Sequence, residues 1–173
     1  GVTYYYWNKV IHSDGSNTNS SAVSVTAAAA VATKDGAVYS MIGVQSGKAV
    51  EVLYWSQDNG AKLNQIDVQH TVNQQWRFEY RQNDVYRLVN NFSAKCMEVP
   101  NGDASNGLGI QQSTCSGVPA QNWQVLYSGN GRYTIKNAVT GKCLDVANFS
   151  LDNGARINQW ACSGNDNQKW YFN

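Results

Sequence analysis

Gln74-Gln75-Trp76 recurs as Gln121-Asn122-Trp123 and again as Gln168-Lys169-Trp170, at an interval of 47 residues each time. Aligning the sequence with itself at this interval, without a gap, brings further similar residues into register. These aligned positions, each called a column, are Tyr39, Tyr86 and Tyr133; Lys48, Lys95 and Lys142; Glu51, Glu98 and Asp145; Val52, Val99 and Val146; and Gly60, Gly107 and Gly154. A fixed period of this size is the signature of a repeat architecture. The sequence therefore contains three copies of one structural unit, assigned to residues 39–85, 86–132 and 133–173.

Each copy has the pattern of short β-strands separated by turns. Residues 38–42, 86–89 and 133–136 consist largely of strand-favouring residues and alternate in part between apolar and polar side chains. Asn-Gly pairs favour the positive backbone angles of tight turns, and each copy has one: Asn59-Gly60, Asn106-Gly107 and Asn153-Gly154. No comparable stretch has a helical period with capping residues. The sequence therefore predicts an all-β fold.

Three β units need a closed arrangement, because open sheet edges invite aggregation. A propeller needs about four to eight blades, and helical repeats with a period of about 40–47 residues need amphipathic helices that this sequence lacks. A threefold barrel of hairpins, the β-trefoil, fits the number of copies. We therefore predict a β-trefoil of three homologous repeats over residues 39–173, preceded by a short N-terminal extension or linker, residues 1–38.

The composition excludes several kinds of partner. The net charge is +1, 14% of the residues are charged, and no Lys/Arg cluster is present, so we predict no nucleic-acid partner. No run approaches the roughly 18 apolar residues that cross a bilayer, so we predict no membrane insertion. The polar residues are mostly Asn, Gln, Ser and Thr, accompanied by ten Tyr and six Trp. That mixture suits neutral ligands rich in hydroxyl groups.

The four cysteines follow the same interval, as Cys96 with Cys143 and Cys115 with Cys162. Four cysteines permit three disulfide connectivities, of which the repeat favours Cys96–Cys115 and Cys143–Cys162. A metal site is the alternative, but there is no Cys-x-x-Cys and the two histidines share no ligand spacing with the cysteines. We therefore predict no metal, and we expect an oxidising compartment and a secreted or extracellular protein.

The three Gln-x-Trp motifs, together with Cys143-Leu144-Asp145-Val146 and the later Cys162, resemble the ricin B-type lectin family. The resemblance covers residues from about 38 to 173. It implies a β-trefoil with up to one shallow sugar pocket per repeat, conventionally called α, β and γ. It also implies that the tryptophans of the motifs pack in the barrel core and do not bind sugar: Trp76, Trp123 and Trp170.

The third repeat, γ, contains every group that binding of a neutral sugar requires, namely a carboxylate acceptor, an aromatic face and amides. The resemblance makes Asp145 the carboxylate, Asn158 a second polar contact and Trp160 the stacking platform. It places Asn167 facing the sugar and Gln168 supporting it. Asn158 stands where many relatives have Gln, and the shorter side chain is expected to alter selectivity.

The first repeat, α, is a second candidate sugar site. It keeps Glu51, Asn64, Asn73 and Gln74 at the matching positions. Its platform position is Ile66, which has no aromatic face, and Glu51 is longer than the usual Asp and could intrude on the ligand. The sequence leaves open whether this pocket is active.

Aromatic rings from an adjacent loop are candidates to replace the missing platform. Trp55 and His70 are both near the α motif in sequence, but the sequence does not place either over the pocket. Trp55 shares its column with Gly102 and Phe149, so Phe149 is expected to be able to assist the γ pocket in the same way.

The second repeat, β, is expected to be silent. It keeps Glu98, Gln111 and Gln121, but Ser113 replaces the aromatic platform and Ala120 replaces the Asn. The loss of both stacking and an amide leaves little affinity.

Residues 1–38 lie outside the repeats and outside the family pattern. They contain the aromatic cluster Tyr4-Tyr5-Tyr6-Trp7 and a polar, loop-like stretch, residues 13–21. One interpretation is an extension that packs on the trefoil. The other is a surface for self-association or for a partner subunit or domain.

The function predicted from these features is a non-catalytic lectin for glycans of the galactose or N-acetylgalactosamine type or related glycans, with no cofactor. The alternative is a sugar-targeting module or subunit of a glycoside hydrolase or a toxin. A trefoil protease inhibitor of the Kunitz type is less favoured, because that family has no tandem Gln-x-Trp. Enzymatic activity is not predicted, since glycosidases use paired carboxylates and threefold repetition should hold the three acidic residues of the repeat far apart.

Overall fold

A computed structural model describes residues 35–173 in full and the backbone of four short strands before them. The chain divides into two units, Gly1–Ala32 and Thr33–Asn173. In the first unit, strands β1 and β4 pair antiparallel, as do β2 and β3; their ranges are Thr3–Tyr6, Lys9–Ile11, Asn17–Asn19 and Val23–Thr26 for β1 to β4. The side chains of residues 1–34 lie outside the described residues, and so do both interpretations of the N-terminal extension.

The second unit contains twelve strands, which are β5 Ala37–Gly43, β6 Ala49–Val52, β7 Leu63–Ile66, β8 Gln75–Gln82, β9 Val85–Asn90, β10 Cys96–Glu98, β11 Gln111–Ser113, β12 Trp123–Gly129, β13 Arg132–Asn137, β14 Cys143–Val146, β15 Ile157–Trp160 and β16 Lys169–Phe172. Six single-turn 3₁₀ helices connect them: Leu53–Trp55, Val72–Gln74, Pro100–Gly102, Pro119–Gln121, Ala147–Phe149 and Asp166–Gln168. Within residues 35–173 there is no α-helix, as the sequence predicts.

Six of these strands close into a barrel. The antiparallel pairs run β5 with β8, β8 with β9, β9 with β12, β12 with β13, β13 with β16, and β16 back to β5. The other six strands form three hairpins, β6 with β7, β10 with β11 and β14 with β15. One barrel with three hairpins is the β-trefoil that the repeat predicts, and each hairpin belongs to one repeat.

The barrel interior is filled by apolar side chains that recur from repeat to repeat. Trp76, Trp123 and Trp170 are completely buried, which confirms their predicted place in the core. Each indole Nε1 donates to a main-chain oxygen 26 residues earlier in the chain, at 3.0–3.4 Å. Because the polar edge of each ring is satisfied, the tryptophans stabilise the barrel through both burial and a hydrogen bond.

The hairpins are held to their neighbours by three buried glutamines that the sequence analysis did not single out. Gln65, Gln112 and Gln159 are fully buried, and each donates to two main-chain oxygens in the turn of another repeat, at 2.6–3.0 Å. These bonds satisfy otherwise orphaned carbonyls at the joints between repeats. They fix the turns that border the pockets.

Both predicted disulfides are present. Cys96 bonds to Cys115 and Cys143 to Cys162, each with a Cα–Cα distance of 5.1 Å. Each bridge ties the first strand of a hairpin to the segment after the second strand. The alternative connectivities and the metal alternative for these cysteines are therefore excluded.

Candidate sugar-binding pockets

The γ pocket is built by the hairpin of β14 and β15 and by the two 3₁₀ turns that follow these strands. In the hairpin, Asp145 pairs with Asn158, and Trp160 pairs with Cys143. The pocket is a cavity of 260 Å³ lined by Asp145, Asn148, Phe149, Asn158, Trp160, Ser163, Asn165, Asn167 and Gln168. All five residues that the resemblance assigns to this site therefore line one cavity.

Asp145 is a buried carboxylate surrounded by amide donors. Asn167 Nδ2 donates to its Oδ2 at 2.8 Å and Gln168 Nε2 donates to the same atom at 2.9 Å. With its amide nitrogen turned toward the carboxylate, Asn158 donates to Oδ1 at 2.7 Å. Burial raises the pKa of Asp145 above the 3.8 of an ordinary aspartate, and the bonds from Gln168 and Asn167 offset part of that rise.

The amides also tie the carboxylate to the fold. Asn167 Nδ2 donates a second bond to Val146 O, and Gln168 Nε2 donates to Ala161 O. Gln168 Oε1 in turn accepts from the main-chain N–H of Ser163. Both ends of the Gln168 amide are thus bonded to protein groups.

The side-chain amide of Asn167 is less completely hydrogen-bonded than that of Gln168. Its Oδ1 is buried and has no hydrogen-bond partner among the described residues. A buried unsatisfied acceptor costs about 1–3 kcal/mol, and such groups in native proteins call for a ligand, a water molecule or another explanation. The oxygen belongs to the amide whose nitrogen donates to Asp145, so this unsatisfied acceptor lies next to the carboxylate.

Trp160 supplies an accessible aromatic surface at one end of the pocket. Its side chain is 46% exposed, in contrast to the three core tryptophans. A Cβ placed on Gly107 of the second repeat would lie 3.2 Å from Trp160 Cζ3. The ring therefore packs against a glycine of the neighbouring repeat, which leaves its remaining surface free.

Phe149, Asn148, Ser163 and Asn165 complete the γ pocket. Of these, the sequence analysis raised only Phe149, through its column with Trp55. Ser163 and Asn165 come from a loop with no distinctive motif. The signal that could have found Asn148 and Phe149 is their place in the turn directly after the carboxylate strand.

The α residues occupy equivalent places around Glu51. Asn64 Nδ2 lies 3.4 Å from Glu51 Oε1, and Asn73 Nδ2 lies 3.3 Å from Oε2 and donates to Val52 O at 3.0 Å. Burial raises the pKa of Glu51 above 4.5, against the hydrogen bonds of its neighbours. The amide oxygens of both Asn64 and Asn73 are buried without a partner among the described residues.

The fourth α residue, Gln74, holds its loop. Its Nε2 donates to Asp67 O at 3.0 Å, and its Oε1 accepts from the N–H of Gln69 at 2.8 Å. Ile66 is half-buried at the platform position, while His70 and Trp55 are exposed. The α repeat therefore has the polar floor of a sugar pocket and lacks an aromatic ring at the usual place.

The β repeat contains a cavity whose lining differs from that of the γ pocket. Glu98 accepts hydrogen bonds from Gln111 at 2.9 Å and from Gln121 at 2.7 Å. The cavity beside it measures 500 Å³, and its lining residues are Glu98, Asn101, Gly102, Ser116, Val118, Pro119, Ala120 and Val139. Aliphatic walls replace the aromatic platform and the Asn amide.

Two further properties of the described residues bear on function. No group of three or more His, Cys, Asp or Glu side chains in the described part of the chain is arranged to hold a metal ion. No helix among the same residues is long and apolar enough to cross a membrane.

A model of the ricin-type β-trefoil lectin domain-like family matches residues 26–113, 72–160 and 119–173. The chain belongs to this family. The resemblance drawn from the Gln-x-Trp motifs is thereby confirmed, and the chain has the carbohydrate-binding β-trefoil of ricin B-type lectins.

Several solved structures are similar to the chain. ThreeFoil, a designed threefold-symmetric protein, is 36% identical with a TM-score of 0.77, over 78% of this chain and 96% of ThreeFoil. An exo-β-1,3-galactanase from Clostridium thermocellum is 31% identical with a TM-score of 0.76, over 80% of this chain and 30% of the galactanase. The chain thus spans less than a third of that enzyme.

A ricin B-like lectin from Macrolepiota procera, solved in complex with lactose, shares the fold at 15% identity. Its TM-score is 0.70, over 81% of this chain and 96% of the lectin. A search of curated proteins gives no match to the chain.

Proposed function

We propose that this chain is a non-catalytic lectin domain that binds a neutral sugar in its γ pocket. The observation that carries the proposal is the conjunction, around one cavity, of a buried carboxylate, the amides that hold it and a half-exposed indole. Each group serves one feature of a sugar ring. Asp145 accepts from adjacent hydroxyls, the amides of Asn158 and Asn167 border the same cavity, and Trp160 covers the apolar C–H face.

The preorganisation of Asp145 supports this role. Its carboxylate is fixed by amides from Asn167, Gln168 and Asn158, so little side-chain entropy is lost when a sugar binds. The cavity has a volume of 260 Å³, which suits one or two sugar units. Affinity for a single unit should be modest, and useful avidity would come from a second pocket on the same glycan or surface.

We propose a galactose-type or related sugar as the ligand. The support is the 31% identity to a domain-sized part of an exo-β-1,3-galactanase, an enzyme that acts on a galactose polymer. Asn158, where many relatives have Gln, is the residue from which a departure in selectivity is expected.

The alternative function is a sugar-targeting module of a larger protein. The same relative favours it, because the chain matches only 30% of the galactanase. Both functions predict the same sugar contacts. They are distinguished by whether the encoding gene continues into a catalytic or toxin domain.

The three repeat carboxylates support a non-catalytic role. Glu51, Glu98 and Asp145 each sit in a separate hairpin, and each is engaged by amides of its own repeat. Glycoside hydrolysis needs two carboxylates within about 5–10 Å of one scissile bond. The two disulfides support a secreted or extracellular location, since such bonds persist in oxidising compartments.

A glycan-array screen tests the proposal, with the wild-type chain run beside Asp145→Ala and Glu98→Ala. We expect the wild type to bind a family of related glycans, Asp145→Ala to lose at least tenfold of the signal, and Glu98→Ala to match the wild type. Glu98→Ala is the matched control, because it removes the equivalent carboxylate from the β repeat. A folded wild type that binds no glycan refutes the lectin function, and an Asp145→Ala variant that keeps the full wild-type signal for every glycan refutes the γ assignment.

A further inference from the structure

The 3₁₀ turn after each carboxylate strand holds its last two residues in the left-handed backbone region. The φ values are 56° for Tyr54 and Trp55, 54° and 64° for Asn101 and Gly102, and 56° and 54° for Asn148 and Phe149. This conformation costs L-residues about 1–2 kcal/mol each, and Asn and Gly tolerate it best. The β repeat therefore has the least strained pair, whereas the α repeat has two aromatic residues.

Packing does not account for these aromatic residues. The side chain of Trp55 is 43% exposed and that of Phe149 is 52% exposed, so each ring leaves about half of its apolar surface in water. Among the described residues, the only aromatic contact of these two rings is that of Trp55 with Phe92, so packing in the free protein offsets little of the backbone strain. Strain of this kind is typical of sites where the side chain meets a ligand.

The turn position borders the pocket in the two repeats whose cavities are described. Phe149 lines the γ cavity together with Asp145, and Gly102 lines the β cavity together with Glu98. Trp55 has the same place in the repeat relative to Glu51. The equivalence of the three turns therefore predicts that Trp55 borders the α pocket, next to Glu51.

A second ring from the next repeat braces Trp55. Phe92 contacts it edge to face, with ring centroids 5.2 Å apart and an interplanar angle of 77°. The residue equivalent to Phe92 in the third repeat, Val139, lines the β cavity, so this position also belongs to a pocket rim. The contact fixes the orientation of the indole while leaving it 43% exposed.

We infer that Trp55 is the aromatic platform of the α pocket, and that it lies at the opposite end of the carboxylate from the platform of the γ pocket. This inference rests on the proposed lectin function. In the γ hairpin, Trp160 pairs with Cys143, two residues before Asp145. In the α hairpin the corresponding residue is Ile66, which pairs with Ala49, whereas Trp55 follows the carboxylate by four residues.

The consequence concerns selectivity. A pyranose whose hydroxyls bind the carboxylate must direct its apolar C–H face toward the aromatic ring. The γ pocket has Trp160 at one end and Phe149 at the other, whereas the α pocket has Ile66 at the first of these positions and Trp55 at the second. The α and γ pockets therefore accept different arrangements of axial and equatorial hydroxyls. The α pocket therefore binds a neutral pyranoside with a different order of preference among epimers than the γ pocket.

The test is an NMR titration of the Asp145→Ala chain with methyl galactopyranoside, methyl glucopyranoside and methyl xylopyranoside, followed by the same titration after Trp55→Gly. Glycine is the residue that the β repeat has at this position, so the substitution relieves backbone strain and the melting temperature should fall little or not at all. We expect Asp145→Ala to retain binding of at least one pyranoside, and Trp55→Gly to weaken it at least tenfold.

Tyr54→Asn is the matched control, because it removes an exposed aromatic ring from the same turn and installs the residue of the other two repeats. It should change the Kd of the Asp145→Ala chain less than threefold. An equal loss in both variants assigns the effect to the turn and overturns the inference, as does unchanged binding after Trp55→Gly. If Asp145→Ala abolishes all binding, the α platform is refuted while the γ lectin function stands; if the wild type binds no sugar, both fail.

Discussion

Lys48 and Asp67 form an ion pair in the first repeat, at the place where the other two repeats have a disulfide. They are separated in sequence by 19 residues, like Cys96 and Cys115. Asn153 Nδ2 also donates to Asp67, at 2.8 Å, and ties this clamp to the third repeat. The cysteine positions themselves are occupied by Ala49 and Val68, one residue after each member of the ion pair.

This equivalence predicts that Ala49→Cys with Val68→Cys forms a third disulfide. By the symmetry of the repeats, the two Cα atoms should be near the 5.1 Å of the native bridges, which is within the range for an unstrained bond. Closing a loop of this length stabilises by up to about 3 kcal/mol. The measurement is a free-thiol assay together with the free energy of unfolding. Free thiols in the oxidised, folded variant would show that the first repeat departs from the symmetry.

Gly107→Ala should weaken sugar binding in the γ pocket although Gly107 belongs to another repeat. The new Cβ would lie 3.2 Å from Trp160 Cζ3, so the indole must move from its place. Gly154→Ala is the matched control, since it has a similar positive φ of 83° and no atom within 4 Å of the new Cβ. Both variants should lose about 1–2 kcal/mol of stability, whereas only Gly107→Ala should raise the Kd. Equal Kd values in the two variants would contradict the packing of Trp160 on Gly107.

Two tryptophan substitutions should separate stability from binding. Trp170→Ala removes a fully buried ring and its hydrogen bond to Leu144 O, and should lower the free energy of unfolding by about 3–5 kcal/mol. Trp160→Ala removes an exposed ring, and should leave the unfolding free energy nearly unchanged while abolishing γ binding. Chemical denaturation of both variants measures the difference. Comparable losses of stability would place Trp160 in a structural role.

Sugar binding should weaken in acid at a higher pH than an ordinary aspartate predicts. Burial raises the pKa of Asp145 above 3.8, and protonation removes the negative acceptor that the hydroxyls require. The free energy of unfolding should change in the opposite direction to the affinity as the pH falls. The folded chain takes up its proton at a higher pH than the unfolded chain, so the contribution of Asp145 to stability increases as pH falls through the raised pKa.

The measurement for this prediction is the Kd between pH 3 and pH 7, with circular dichroism to verify folding. Asp145→Asn is the control for stability, because it cannot titrate at this position. The stability of the wild type relative to this variant should improve as pH falls. A binding midpoint at or below 3.8 would show that the carboxylate is not desolvated.

The fold could be predicted from the sequence because its evidence is periodic. The constant interval of the Gln-x-Trp motifs predicts three equivalent units. Three β units without open sheet edges need a closed arrangement, and the β-trefoil is the closed fold with that number of units. The same interval predicted both disulfides. Gln65, Gln112 and Gln159 also recur at an interval of 47 residues. This recurrence could have predicted that all three have the same structural role, which is to be buried where neighbouring repeats meet.

The complete γ pocket could not be predicted, because part of its wall comes from irregular loops. Ser163 and Asn165 line the cavity from a segment with no strand or turn motif. The left-handed backbone of Phe149 is not encoded by residue type, since aromatic residues do not favour it. Contacts between repeats, such as that of Trp160 with Gly107, depend on the curvature of the barrel and have no local signal.

The most direct test of the central claim is an NMR titration of the ¹⁵N-labelled chain with methyl galactopyranoside, observed at the side-chain N–H groups. The account predicts saturable shifts of the Trp160 indole and of the Asn158 and Asn167 amides, while the indoles of Trp76, Trp123 and Trp170 stay unchanged. The shifts should disappear in Asp145→Ala. Saturable binding that leaves the Trp160 indole and the Asn167 amide unmoved would contradict the assignment of the γ pocket as the sugar site.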